Sequence, residues 1–300
     1  GYVTNVYNPK KSYQPQIWMN DRDTTVTHTR NVLYLKPYYA LIIDQLEGSG
    51  EHVFDAHFHL DAPTAALNSD GHYVHSVRND SVQIGIYAID KENLQTEIIQ
   101  GQDTPLLGWY PIEHRAIPTV RFRKKQETPA SFATFLYPYK NVSPMFSTEN
   151  IDVRSEYMIW GQRIFTDEET AEVVLDKRNN LSAFSFQSVL IGNLDIVGKG
   201  VVIRQSKVYA DLVSVGIWGA SDYQDKMFAF RFPDLTDVVL QQNGDSIIAF
   251  NAGEKESRML IRKPFKKEVI LEPGEWVVIS EAKEEKNVQP LMFPLFNERK

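Results

Sequence analysis

The chain has 300 residues, 42% of them hydrophobic and 12% aromatic, with a formal net charge of −7 and no cysteine. That composition is enough to bury the core of one large domain or two smaller ones. It excludes disulfides, thiolate metal sites and a cysteine nucleophile, and its acidic balance argues against a nucleic-acid partner.

No apolar run is long enough to span a bilayer, and no amino-terminal stretch has the form of a signal peptide. Helical periodicity is nearly absent. Strand signals begin at Val26 to Leu35, followed by Lys36-Pro37 and the bulky apolar run Tyr38 to Leu46. The turn Glu47-Gly48-Ser49-Gly50 and a new strand from His52 to Leu60 extend this into an expected meander. Alternation recurs at Val82, Ile84, Ile86 and Ala88, and at Val120 and Phe122 between Arg121 and Arg123. Turn residues cluster from Asn141 to Ser155. The acidic stretch Asp167 to Ala171 suits a single turn. Phe228, Phe230 and Phe232 repeat at period two. Asn243-Gly244 between Val238–Leu240 and Ile247–Phe250 predicts a hairpin. Pro273-Gly274, between Val269–Leu271 and Trp276–Ile279, predicts another tight turn. The run Glu281 to Asn287 reads as a charged linker, and the tail Gln289 to Lys300 as a segment that docks back on the body. Short strands at this spacing predict an all-β fold, a large two-sheet antiparallel β-sandwich. Residues 1–145 form its first unit. Residues 146–300 form either a second, smaller β-rich unit or a continuation of the same sandwich.

Two groups of residues carry candidate chemistry. In the strand from His52 to Asp61, Phe54, Ala56, Phe58 and Leu60 share the face expected to be core. Asp55, His57, His59 and Asp61 share the other. Neighbours at i and i+2 lie about 6.5 Å apart, so Asp55, His57 and His59 are candidate metal ligands. A solvated or sugar-facing sheet surface is the plainer reading. The second group is Gly108-Trp109-Tyr110-Pro111-Ile112-Glu113-His114-Arg115. Aromatic faces stack on sugar rings and arginine forks onto carboxylates, so Trp109, Tyr110, His114 and Arg115 are candidate substrate-binding residues. Arg121, Arg123, Lys124 and Lys125 would add a positive patch suited to an acidic glycan. The competing reading has the aromatics packed under a loop and the charges solvated. His28 and Arg30, and His72, His75 and Arg78, read as surface residues. Nothing resembles a serine hydrolase elbow, a phosphate loop or a dinucleotide fingerprint.

Thr27 to Tyr34, Lys36 to Asp44, Gly50-Glu51-His52 with His57-Phe58-His59-Leu60, Gly108-Trp109-Tyr110 with Pro118-Thr119-Val120, and Phe132 to Pro138 form one set of segments. Together they resemble the carboxy-terminal β-sandwich domain of heparinase II/III-like polysaccharide lyases and their alginate lyase-like relatives. In the second half the likeness narrows to Asn243-Gly244-Asp245 and Pro273-Gly274-Glu275-Trp276. The resemblance implies an amino-terminal α/α toroid ahead of the sandwich, with the glycan in the cleft between them. It also implies β-elimination on uronic-acid polymers, in which the carboxylate is neutralised, a base takes the C5 proton and an acid protonates the leaving oxygen. The helical pattern of a toroid is absent from this sequence. The family's sandwich histidine and metal ligands match no residue here, and His57 and His59 align with a structural strand. No catalytic residue is therefore carried over. The expectation is a cleft wall of a polysaccharide lyase, inactive alone, partnered by an acidic polysaccharide and the toroid, and acting in the periplasm or outside the cell. These residues require no cofactor, though a divalent metal is compatible with the parent enzyme. The alternatives are a non-catalytic carbohydrate-binding or structural β module, and a small metalloprotein built on His57 and His59.

Overall fold

The computed structural model describes residues 25–286, except 37, 79–81, 111, 152–158, 177–183, 189–193, 209–212 and 244. Pro37, Pro111, Gly244, residues 152–155 of the expected boundary, Asn287 and the tail Gln289–Lys300 therefore lie outside the described residues. Among the described residues there is no helix, and every named strand pair is antiparallel. The chain divides into two compact units, Gly1–Pro144 and Met145–Lys300.

The first unit contains β1 (Val26–Leu35), β2 (Tyr39–Gly48), β3 (Glu51–His59), β4 (Thr64–Leu67), β5 (Tyr73–Val77), β6 (Val82–Ala88) and β7 (Leu94–Ile99). Four short strands follow: β8 (Gln102–Asp103), β9 (Leu106–Leu107), β10 (Trp109–Tyr110) and β11 (Arg115–Ala116). The long strands β12 (Thr119–Glu127) and β13 (Ala130–Lys140) complete the unit. One sheet runs β1-β2-β13-β6-β5-β4 and the other β3-β12-β7. Both faces of the central pair, β2 and β13, are covered. Tyr39, Leu41, Ile43, Phe135 and Tyr137 are buried on one side, and Leu46 and Phe132 on the other. That explains why the run from Tyr38 to Leu46 shows no alternation.

The expected meander ends after β2. Both edges of β2 are already taken, by β1 and by β13. The chain turns at Ser49-Gly50, with Gly50 at φ 89°, and β3 enters the other sheet against β12. Alternation along β3 then decides which side faces inward. Phe54 and Ala56 meet Val120 and Phe122 from β12, and Leu46, Ile86 and Phe132 from the larger sheet. Each large apolar side chain buried here stabilises the unit by about 1.5–3 kcal/mol. The odd-numbered residues Asp55, His57 and His59 point away from this core.

The second unit contains β14 (Phe146–Asn150), β15 (Ile159–Thr166), β16 (Glu169–Asp176), β17 (Phe184–Ser188), β18 (Leu194–Gly198), β19 (Gly200–Ser206) and β20 (Val213–Gln224). It continues through β21 (Ala229–Asn243), β22 (Ser246–Asn251), β23 (Ser257–Lys263), β24 (Lys267–Leu271), β25 (Trp276–Ile279) and β26 (Glu284–Lys286). The main path runs β14-β15-β16-β19-β20-β21-β22-β25-β26. The long strands β20 and β21 belong to two layers. Ser214–Ile217 pair with Val238–Gln241, Asp222–Gln224 pair with Ala229–Arg231, and the register shifts between them. Gly219, at φ 61°, sits at the break, where a side chain would be strained. Beyond it the sheet continues through β18 on one side and β23-β24 on the other. The sheet thereby folds over itself, and Val215, Ile217, Leu240 and Ile247 meet Tyr223, Phe230, Ile261 and Val269 in one core.

Two local expectations change here, and the tight turn expected at Pro273-Gly274 holds. The turn at Pro273-Gly274 exists, since the Glu275 N–H donates to the Glu272 carbonyl at 3.1 Å. It does not join a hairpin, because β24 pairs with β23 and β25 with β22. The Asp167 region is the β15–β16 connection, and Glu169 already lies in the strand. The charged run after Glu281 is not simply a linker, because Glu284–Lys286 pair with Val277–Ile279.

Candidate functional site

Between β7 and β12 the chain leaves the three-stranded sheet and makes two small hairpins, β8–β9 and β10–β11. Gly108 ties them to the sheet end. Its carbonyl accepts the Gly101 N–H at 3.0 Å and the Ile117 N–H at 2.8 Å. Its φ is 78°, and a Cβ here would lie 2.8 Å from the Ile99 carbonyl oxygen, so only glycine fits. Next to it, the Trp109 indole N–H donates to the Gln102 carbonyl at 3.0 Å, which fixes the ring plane. His114 closes the second hairpin in the left-handed region, at φ 48°.

These features enclose an open pocket of about 590 Å³, lined by His59, Asp103, Leu106, Leu107, Gly108, Trp109 and His114. His59 reaches it from the end of β3. Its Nδ1 is hydrogen-bonded to the Thr119 hydroxyl at 2.8 Å, which leaves Nε2 for a ligand. The pocket combines an indole face, an exposed apolar wall at Leu106, two imidazoles and a carboxylate. A polyhydroxylated ring needs this mixture: an apolar face for its C–H groups, and donors and acceptors for its hydroxyls.

Two candidates of the second sequence group do not line this pocket. The Arg115 guanidinium lies 5.4 Å from the Tyr110 ring centre. It also donates to Asp61 at 2.8 Å and to Glu113 at 3.2 Å. Its guanidinium is therefore ion-paired to Asp61 and Glu113 at the surface. His72, His75 and Arg78 do not line the pocket either.

The expected positive patch on β12 is absent. Alternation divides its four cations between the two faces, and each meets a carboxylate. Arg123 donates through two nitrogens to both Asp55 oxygens, each at 2.7 Å. Arg121 pairs with Glu97, its direct neighbour on β7. Lys125 lies 3.1 Å from Glu51. Lys124 points inward, is 2% exposed, and meets Asp90 at 2.9 Å. The sequence shows four cations in five residues, but their partners come from β3, β7 and the β6–β7 connection, all distant in the chain.

This ladder also decides the metal reading of Asp55, His57 and His59. The hydrogen bonds and charge of Arg123 hold the Asp55 carboxyl below its ordinary range, against a smaller opposing effect of burial. Both its oxygens are occupied. Partial burial pushes His57 below the usual imidazole value. Arg121 and Arg123 add to that effect, and Asp55 opposes it. Among the described residues no three His, Asp or Glu side chains are grouped to hold an ion. The row does not fit a divalent metal.

A third cluster lies on β1 and β2. Asp44, 2% exposed, accepts from Arg30 Nε at 2.6 Å, Arg30 Nη2 at 2.9 Å and His28 Nε2 at 2.7 Å. His28 and Arg30 are thus the half-exposed rim of a buried carboxylate rather than plain surface residues. Sequence reasoning also missed Asp103, Leu106 and Leu107. The signal was available: Gly101 and Gly108 bracket six residues including Pro105, a turn-rich spacing that marks a projecting hairpin.

No family model matches the chain, and comparison with curated proteins gives no match. Two solved structures, of heparan sulfate lyase HepC from Pedobacter heparinus and of a mutant of it, are similar in part. Each has 17% sequence identity and a TM-score of 0.44, covering 52% of this chain and 25% of that one. The likeness is thus confined to about half of this chain and a quarter of the lyase.

Proposed function

We propose that the chain is a polysaccharide-binding β module forming one wall of the substrate cleft of a lyase that acts by β-elimination on uronic-acid glycans. The observation that carries this reading is the pocket where Trp109, His59 and His114 converge. One sugar unit stacks on the indole, its hydroxyls meeting the imidazoles and Asp103. The module grips substrate rather than transforming it. Elimination needs a group that neutralises the uronate carboxylate, and the nearby guanidinium of Arg115 is committed to Asp61 and Glu113. The missing groups would come from the helical partner that the sequence resemblance implies, in the periplasm or outside the cell.

The test is binding of the purified chain to heparin, heparan sulfate, alginate and hyaluronan, against neutral polymers, at low and physiological salt. The proposal expects one acidic polymer to bind at physiological salt, to weaken about tenfold or more in Trp109→Ala, and to yield no unsaturated uronate absorbance. Binding that ignores Trp109→Ala overturns the site, and elimination by the chain alone overturns the wall. A second reading, a free-standing module for neutral sugars, is favoured by the ion-paired state of the β12 cations. Preference for a neutral polymer in the same panel selects it.

A further inference from the structure

The pocket at the end of the three-stranded sheet carries an unanswered charge. Asp103 lines it, is exposed, and among the described residues neither accepts a side-chain hydrogen bond nor meets a cation. It stands opposite Leu106 in the β8–β9 pair. Cross-strand partners share a sheet face, so the carboxylate lies beside the Leu106 side chain, which is 74% exposed in the same wall. The hairpin is held at two points. Gln102 Nε2 donates to the Pro105 carbonyl at 2.8 Å, and the Gln102 carbonyl accepts the Trp109 indole N–H at 3.0 Å. The stacking ring is thus tied to the residue that precedes the acid.

No lysine or arginine is among the lining residues. The Arg115 guanidinium, next in sequence to His114, meets Asp61 at 2.8 Å and Glu113 at 3.2 Å, so two carboxylates already match it. The free charge at the pocket is therefore negative. A ring bearing a carboxylate or sulfate would bring a like charge against Asp103 in a partly enclosed space, where water screens it less than in bulk. A ring bearing an ammonium group would bring the opposite charge, with N–H donors for a carboxylate that has no partner. An uncharged ring gains neither.

We propose that the ring held in this pocket is an amino sugar with a free ammonium group, paired with Asp103, and that Asp103 excludes uronate units from the same position. This assignment rests on the reading of the pocket as a saccharide site and names the unit that occupies it. Trp109 supplies the apolar face, and Asp103 makes the choice among rings. The uronates of a mixed glycan then lie outside the pocket, and a polymer of uronate alone has no unit that fits it.

Three trisaccharides of equal length separate the cases: a glucosamine oligomer, its fully N-acetylated counterpart and an oligogalacturonate. Each is titrated into the full chain by calorimetry at physiological salt. The glucosamine oligomer should bind saturably, the N-acetylated one about fivefold more weakly, as an exposed ion pair allows, and the galacturonate more weakly still. Asp103→Asn should remove the advantage of the ammonium form and raise galacturonate affinity. Asp234→Asn, which removes an exposed charge in the second unit, should leave the order unchanged and so separates local pairing from attraction by the net charge of −7. Melting temperatures report that each variant is folded. If binding is lost in Trp109→Ala but galacturonate is preferred, or Asp103→Asn leaves the order as it was, the amino-sugar assignment is wrong and the saccharide pocket stands. If no trisaccharide saturates, or binding ignores Trp109→Ala, the pocket reading and the assignment fall together.

Discussion

The outer face of the three-stranded sheet and the pocket at its end use similar residues to opposite effect. On the sheet face, Arg123 answers Asp55, Arg121 answers Glu97 and Lys125 answers Glu51. At the pocket, a few residues away, His59 and His114 stand beside an indole ring, with Asp103 across the opening. The first surface has spent its charges on itself. The second keeps polar groups directed at a space. A count of charges along the chain would rank the two the other way. Binding capacity follows what a fold leaves unpaired next to a cavity rather than how many cations a strand carries.

The largest effect expected comes from the inner side of the ladder. Lys124→Met strands Asp90 with only the Ser131 hydroxyl, which donates to it at 2.9 Å. Lys124 is the buried end of this pair and Asp90 is partly solvated, so the loss should be about 2 kcal/mol or more in urea unfolding, below the full cost of breaking a wholly buried pair. A loss as small as that of a surface pair would show that the Lys124 charge is not held inside.

Asp44 comes next. Burial alone would raise its pKa. The hydrogen bonds from His28 and Arg30, and the Arg30 charge, outweigh burial and hold it below its ordinary value of 3.8. The unfolded chain therefore binds the proton more readily. The stabilisation is present in full above that ordinary value and is lost as pH falls through the lower folded one. Asp44→Asn should cost about 2 kcal/mol at neutral pH and flatten the acid limb of the stability profile. An unchanged acid limb would place the pH dependence elsewhere.

Trp109→Ala should reduce glycan affinity about tenfold, or about 1.4 kcal/mol, while the melting temperature moves little, since the ring lines an open pocket. The smallest effect belongs to Arg123→Ala. Its partner is partly solvated, so stability should fall by less than about 1 kcal/mol, and glycan affinity should not change. If Arg123→Ala weakens binding more than Trp109→Ala, the contrast between the two surfaces is wrong.

The all-β class was legible because period-two alternation at Val82–Ala88 and Phe228–Phe232 is a local signal. The inward face of β3 was legible for the same reason. The crossing after β2 was not, because pairing depends on β13, some ninety residues further along the chain. The folding-over of β20 was equally hidden, since its break at Gly219 looks like any other strand glycine. At the pocket, Trp109 and His114 were singled out in the sequence through their chemistry, and His59 through its strand face. Their convergence required the two hairpins, which bring residues about fifty apart in sequence to one opening. The Glu113 partner of Arg115 is local, but its Asp61 contact and the paired state of the β12 cations were out of reach, because those carboxylates lie far from their cations in sequence.

The most direct test of the central claim is a side-chain NMR titration of the chain with a uronic-acid oligosaccharide at physiological salt. The account predicts saturable shifts in the Trp109 indole and the His59 and His114 imidazoles, with the Arg121 and Arg123 guanidinium signals unmoved. Shifts at Arg121 and Arg123 with a silent Trp109 would contradict it, and would return the binding surface to the charged strand.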